Sequence, residues 1–459
     1  MSLHRFTLFL FCLILAFTAS AVSLDLSGSP HPSEMVCPRG HASEASAPAM
    51  DEVVVVPSLI DLEELMKPHE IGLSQNARPN FNNKRSRFQS IGFWGDSHLA
   101  AAFFSDEFVK LMGLSNADVK PGFLPPTMGR GGVRLPIRSY CKSSGWRFAN
   151  TYRAHDEMTK VGPALTALEN MQDDVVLWVD FRYKENQPAL EQLVMFFREI
   201  GDQTVMLEVS VDDAPAQQIL LKKGENQLQI NGVQAFSQLK LRLVAGELAI
   251  EGFAPSYISP AHLRLDIFGI PGSTVRSWAL VDPLYLRSRI TNPEYDLVIL
   301  EYGSNEGADR NFDSENYRAL LTSSLRGMKT VFPNAQCVLI GPPDRGLLVR
   351  KRSHVKTNKK FLSKDVRKGA RKEGLSRGDL LKYASVNARI AEIQKSLAQS
   401  NSCVFWDWQL AMGGQGGAYK WFYGNPRLMA KDLLHLTKTG YQESARLFFD
   451  DIGIGEWIK

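Results

Sequence analysis

The chain has 459 residues, 44% of them hydrophobic and 22% charged, the composition of a soluble globular protein too long for one ordinary core, so two domains and a tail are expected. A formal net charge of +4 is small for that length and excludes whole-chain electrostatic capture of nucleic acid. No two of the five cysteines have metal-ligand spacing and the nine histidines are scattered, so no metal site is expected.

Targeting information comes first. Arg5 precedes the apolar run Phe6 to Phe17, and Ala19-Ser20-Ala21 is a small-x-small site of the kind signal peptidase cuts. Residues 1–21 therefore read as a signal peptide, with the mature chain starting near Val22. The run falls short of the ~20 residues that span a bilayer, which argues against a bare membrane anchor. No cysteine follows the cut to carry a lipid, and no later segment is apolar for long enough to be a transmembrane helix. Residues 22–88 are rich in Ser, Pro, Asn and acidic groups, with one helix-like patch from Leu59 to Met66, and read as a tether or a segment packed outside the core.

From Ile91 short apolar runs alternate with stretches of helical period. The runs are Ile91 to Trp94, Leu263 to Phe268, Leu297 to Tyr302, Cys337 to Ile340 and Cys403 to Trp406, and they suit strands buried on both faces of a parallel sheet. Helices are predicted at Ala100 to Met112, Ser314 to Val331, Asp379 to Gln399 and Thr439 to Asp451, which makes a five-strand α/β sandwich. The alternation stops between 141 and 262. Strand-like segments without crossover helices occupy that stretch: Val175 to Phe181, Gln203 to Val211, Gln218 to Leu221, Gln227 to Ile230, Leu239 to Val244 and Leu248 to Phe253. Lys222 to Asn226 reads as a turn between two of them. A β-sandwich insert at 141–262 thus splits an α/β domain into pieces at 89–140 and 263–459.

In an open α/β sheet reactive groups collect at the carboxyl ends of the strands. Those ends carry Ser97 in Gly95-Asp96-Ser97-His98, Gly272 in Pro271-Gly272-Ser273, Asn305 in Gly303-Ser304-Asn305-Glu306, and Asp432 and His435 after the last strand. An alcohol is a poor nucleophile until a base takes its proton, and His435 suits that base, with Asp432 fixing its tautomer. The Ser97 and Gly272 backbone N–H groups and the Asn305 side-chain amide suit an oxyanion hole. Alone, Ser97 reads as a helix N-cap, Asn305 and Gly272 as loop residues, and Asp432 with His435 as a capping pair. Their joint occurrence in this order at successive strand ends favours acyl-transfer chemistry.

The series Gly95-Asp96-Ser97, Gly272, Gly303-x-Asn305 and Asp432-x-x-His435 resembles the four blocks of the SGNH, or GDSL-like, hydrolase family. His98, Glu306, Phe405-Trp406-Asp407-Trp408-Gln409 with Ala411-Met412-Gly413-Gly414, and His435 to Tyr441 are similar to one branch, the peptidoglycan O-acetylesterases of Gram-negative bacteria, which carry an inserted carbohydrate-binding-module-like sandwich. The resemblance covers about residues 88–459. It implies a three-layer, flavodoxin-like domain and removal of O-acetyl groups from peptidoglycan through an acetyl-Ser97 intermediate. It also implies no metal or organic cofactor, a periplasmic location peripheral to the cell wall or membrane, and an acetylated glycan polymer, not nucleic acid, as partner. A monomer is the default. Trp406, Trp408, Tyr302 and Trp94 are candidates to stack on sugar faces, with core packing as the alternative.

Three features stay outside the motif. Cys337 and Cys403 each sit in an apolar strand-like run and are expected to be buried as small hydrophobes, while Cys37 and Cys141 lie in loop-like sequence where an oxidising compartment allows pairing. Basic clusters from Arg350 to Lys372 read as a solvated loop or as an electrostatic handle for an anionic polymer. Transfer of the acetyl group to a sugar hydroxyl, and a glycan-binding protein with a dead site, are the competing functions; the intact triad argues against the latter.

Overall fold

A computed structural model describes residues 21–25, 54–55, 89–115, 117–155, 158–182, 190–290, 295–309, 311–350 and 376–454. The remainder of the expected signal peptide, most of the expected tether, Cys37 and the basic clusters beyond Arg350 lie outside the described residues. Among the described residues no helix is long and apolar enough to cross a membrane.

The α/β half is built on a parallel sheet of six strands in the spatial order Val404–Trp406, Gln336–Ile340, Leu297–Glu301, Ser90–Gly95, Leu263–Gly269 and Val119–Lys120. Five are the expected runs. The sixth, the two-residue edge strand Val119–Lys120, is too short to show a period, so the expected count of five becomes six. Successive residues of these strands divide between two apolar clusters, as pleating requires. Ile91, Phe93, Leu265 and Ile299 pack with Phe104 and Phe108 of helix Phe103–Leu111 and with Ala445 and Phe448 of helix Lys438–Ile452. Trp94, Phe268, Val298 and Leu300 pack with Leu321 and Leu325 of helix Ser314–Val331 and with Ile390 and Ile393 of helix Lys382–Ser400.

Two further sheets stack into a sandwich. One orders Ala21–Asp25, Gln227–Phe236, Leu190–Glu199, Leu248–Tyr257, Thr166–Asn170 and Trp146–Asn150; the other orders Gln217–Leu221, Val205–Val211, Gln238–Ala245, Val175–Asp180 and Ser139–Lys142. Pairing is antiparallel throughout, except that Ala21–Asp25 lies parallel to Gln227–Phe236. Leu168, Leu177, Met195, Leu207, Leu241 and other inward residues fill the space between. The strand Leu190–Glu199 has no clean alternation because both its faces are covered. Met195 and Phe197 point into the sandwich, whereas Phe196 packs on Phe123, which in turn meets Phe268 of the parallel sheet.

Polar links lock the two halves. Leu124 and Phe253 exchange backbone hydrogen bonds at 2.7 and 3.0 Å, and Thr159 and Asp282 join through their main chains. The buried Glu251 carboxylate meets Arg289 at 3.1 Å and accepts the Tyr285 hydroxyl at 2.8 Å. A buried charge set of this kind holds a docking geometry because breaking one partner strands the other.

One expectation is corrected here. Cys337 and Cys403 are not free hydrophobic thiols but a disulfide. Val338 lies opposite Val404 in the parallel pair, so the residues just before them, Cys337 and Cys403, are brought side by side with a Cα–Cα distance of 4.8 Å. Cys141 is also disulfide-bonded.

Candidate active site

Strand Ser90–Gly95 ends where a side chain would have no room, since a Cβ on Gly95 would lie 2.8 Å from the Glu301 carbonyl of the neighbouring strand. The chain then turns into the short helix Ser97–Ala100, whose N-cap Asp96 accepts the His98 N–H at 2.9 Å. This turn lifts Ser97 above the sheet. Its Oγ lies 3.0 Å from Nε2 of His435. The other ring nitrogen of His435 donates to Asp432 Oδ2 at 2.7 Å, and the second oxygen of that carboxylate accepts the N–H groups of Leu434 and His435.

Charge and hydrogen bonding set the proton affinities of this pair. Desolvation pushes the Asp432 carboxyl upward, but the His435 ring, the two backbone N–H groups and the imidazolium charge together hold it down at about 2. His435 is raised, first by its hydrogen bond to Asp432, against desolvation and the charge of Arg345. An alcohol held against an imidazole that is backed by a carboxylate is the arrangement that generates a nucleophile without a metal-bound hydroxide.

Across from Ser97 lies the loop after strand Leu263–Gly269. Gly272 adopts φ +81°, a conformation that favours glycine. The N–H groups of Ser97 and Gly272 have no hydrogen-bond partner among the described residues. Asn305 enters from the third strand end, and its amide nitrogen donates to the Ser273 carbonyl at 2.8 Å and to Asp96 Oδ2 at 3.1 Å. Both its hydrogens are thus in use at rest, so donation to an oxyanion requires the whole side-chain amide to turn or one hydrogen to be shared. Beneath it sits a group of buried carboxyls. Burial raises Asp96 to about 6 and Glu306 to about 7, and lifts Glu301 well above the usual range. Glu306 also accepts the Val275 N–H at 2.8 Å, pinning the far side of the Gly272 loop.

Sequence reasoning named Ser97, His435, Asp432, Gly272 and Asn305, and all five converge. It also named Trp406, Trp408 and Tyr302 as sugar platforms, and those are corrected. Trp406 and Trp408 are fully buried, as is Trp94, and Tyr302 nearly so. Their indole N–H groups are spent on Asp451, Ser444 and the Pro163 carbonyl respectively for Trp406, Trp408 and Trp94, because the strand ends that carry these residues are covered by helix Lys438–Ile452 and by the insert. Gln409 of the same motif binds Asp344 at 2.7 Å, and Asp344 accepts the Gly416 and Ala418 N–H groups, so the motif stitches two loops together. The His98 ring lies 5.5 Å from that of His435 at a tilt of 44°, shares a hydrogen bond with Tyr441 at 3.1 Å, and is kept well below its usual proton affinity by burial.

The loop that carries Gly272 is braced by Arg130, just before the insert, and by Tyr152 within it. Arg130 donates to the Pro271 carbonyl at 2.9 Å and to Asn150 Oδ1, and Tyr152 Oη lies 3.3 Å from where a Cβ on Gly272 would stand. Arg345, after strand Gln336–Ile340, donates to the Ser304 carbonyl and bears on His435 through its charge. No local pattern marks Tyr152, Arg130 or Arg345.

The fold is similar to that of a solved peptidoglycan O-acetylesterase, with a TM-score of 0.54 and 18% identity over 85% of this chain and 94% of that one. A family two carbohydrate esterase from Cellvibrio japonicus aligns at a TM-score of 0.26 and 13% identity over 69% of this chain and 100% of that one. No family model matches the sequence, and no curated protein does. The chain thus shares the overall fold of that peptidoglycan O-acetylesterase structure, here a parallel α/β sheet with two further, mainly antiparallel sheets.

Proposed function

We propose that this protein is a periplasmic serine esterase that removes O-acetyl groups from peptidoglycan. The observation that carries the reading is the unbroken hydrogen-bond chain Ser97–His435–Asp432, with the backbone N–H groups of Ser97 and Gly272 unpartnered among the described residues. Ser97 Oγ attacks the acetyl carbonyl carbon while its proton passes to His435 Nε2. The N–H groups of Ser97 and Gly272, joined by the Asn305 amide, receive the oxyanion. Collapse expels the sugar oxygen, which takes the proton from His435 and leaves acetyl-Ser97. Water then attacks, giving its proton to His435, and a second collapse returns that proton to Ser97 and frees acetic acid.

The side chains of His435 and Asp432 are 38% and 45% exposed, so water has access to the proposed acyl-enzyme, as hydrolysis requires. The disulfides at Cys337–Cys403 and at Cys141 fit an oxidising compartment, in keeping with the signal peptide. On the same reading the catalytic domain comprises 89–140 and 263–459, with three layers, and the insert comprises 141–262. The test is acetate release from O-acetylated peptidoglycan and from a small acetyl ester. Ser97→Ala is expected to abolish both; full turnover by that variant overturns the assignment.

A further inference from the structure

The insert holds a cavity of about 340 Å³ that the chemistry above does not use. Its floor and walls come from strands Trp146–Asn150 and Thr166–Asn170, from the turn Thr151–Arg153 and from Arg198 of strand Leu190–Glu199. Four cations line it: Arg147, Arg153, Lys160 and Arg198. Among the described residues Glu169 is the carboxylate that lines it with them. Glu169, with its side chain 6% exposed, is shared between Arg147 at 2.9 Å and Arg198 at 2.8 Å. Arg153 and Lys160 are exposed and pair with no carboxylate among the described residues. The Nε of Arg198 is buried without a hydrogen-bond partner; its nearest carboxylate oxygen, on Glu251, is 3.7 Å away.

A concave, cation-rich site with an excess of positive charge attracts an anion and focuses its field in the cleft. Its position says which anion. Arg153 lies over the ring of Tyr152, 5.5 Å from the centroid, and the Tyr152 hydroxyl borders Gly272. Asn150 lines the cavity and is held by Arg130, which also grips the Pro271 carbonyl. One turn of the insert therefore has the cationic cavity on one side and the Gly272 loop on the other. The turn Thr151–Arg153 thus links the cavity to the loop that carries Gly272.

We propose that the cavity is a subsite for carboxylate groups of the glycan substrate, so that the insert selects anionic over neutral acetylated polymers. The proposal rests on the esterase reading. Arg147 and Arg198, preorganised by Glu169, form the fixed part of the site, and Arg153 and Lys160 form the free part that the ligand neutralises.

The test compares the full chain with the double variant Arg153→Glu/Lys160→Glu on three substrates at low and high salt: O-acetylated peptidoglycan, acetylated xylan as the neutral polymer, and a small acetyl ester. Reversing two exposed charges is expected to lower kcat/KM on peptidoglycan about tenfold and to flatten its salt dependence. Turnover of xylan and of the small ester is expected to stay unchanged. An unchanged value on peptidoglycan, or an equal loss on the neutral polymer, overturns the subsite. If the unaltered chain turns over none of the three, the esterase reading fails, and the subsite is then judged by co-sedimentation of the same two proteins with insoluble peptidoglycan. Weaker retention of the double variant supports it, and equal retention overturns it.

Discussion

Asp432 and His435 divide their labour by environment. The carboxyl, held at about 2, stays ionised across the working range, while the imidazole is lifted above its ordinary 6.5 by the hydrogen bond to that carboxylate. A general base must be neutral to accept the Ser97 proton, so kcat/KM on a small acetyl ester is expected to rise with pH through a midpoint above 6.5 and then level off. Asp432→Asn removes the partner that raises the imidazole. The midpoint is expected to move down, and the plateau to fall by as much as about 10⁴-fold, because the amide no longer holds the required tautomer. A pH–rate profile unchanged by the substitution would show that His435 is not the base. Stability follows the opposite limb for the histidine: its raised proton affinity contributes below 6.5 and is lost as pH rises through the folded value, whereas the Asp432 contribution is lost as pH falls from 3.8 toward about 2.

Among the structural elements, the loop after strand Leu263–Gly269 is the one whose shape matters most to the chemistry. It is tied down at three points: Arg130 on Pro271, Asn305 on Ser273 and Glu306 on Val275. Gly272→Ala would force a side chain into φ +81° and to 3.3 Å from the Tyr152 hydroxyl. Displacement of its N–H from the proposed oxyanion hole is expected to lower kcat by about 10²-fold or more with little change in the unfolding midpoint. Gly272→Ala/Tyr152→Phe is expected to recover part of that loss by removing the crowding oxygen; no recovery would place the whole effect in the backbone strain. Legibility also differed between elements. The helix Ser314–Val331 was readable to the residue because a one-sided apolar stripe and the N-cap Asp313 mark its limits. The strands Trp146–Asn150 and Thr166–Asn170 were not, since their short, half-polar sequences carry too few alternations to stand out.

For the whole molecule, the disulfide Cys337–Cys403 closes a long loop between neighbouring strands on the side of the sheet away from the insert. Cys403→Ser is expected to lower stability by about 2–4 kcal/mol, read from the midpoint of urea unfolding, while leaving kcat on a small ester unchanged. An unmoved midpoint would mean that the sheet register alone holds the edge strand Val404–Trp406.

The alternating parallel-sheet framework, its interruption by β structure, and the type and order of the five groups at the strand ends were legible along the chain. Those properties are encoded by residue type and local period, which survive in a linear string. Tertiary structure alone decided that Trp406, Trp408 and Tyr302 are buried, that Cys337 meets Cys403, and that Tyr152 and Arg130 brace Gly272. It alone brought Arg147, Arg153, Lys160 and Arg198 to one cavity with Glu169. Each of these depends on the register between distant strands or on the docking of the insert, and contacts such as that of Tyr152 with Pro271 join residues 119 positions apart, beyond the reach of any local pattern.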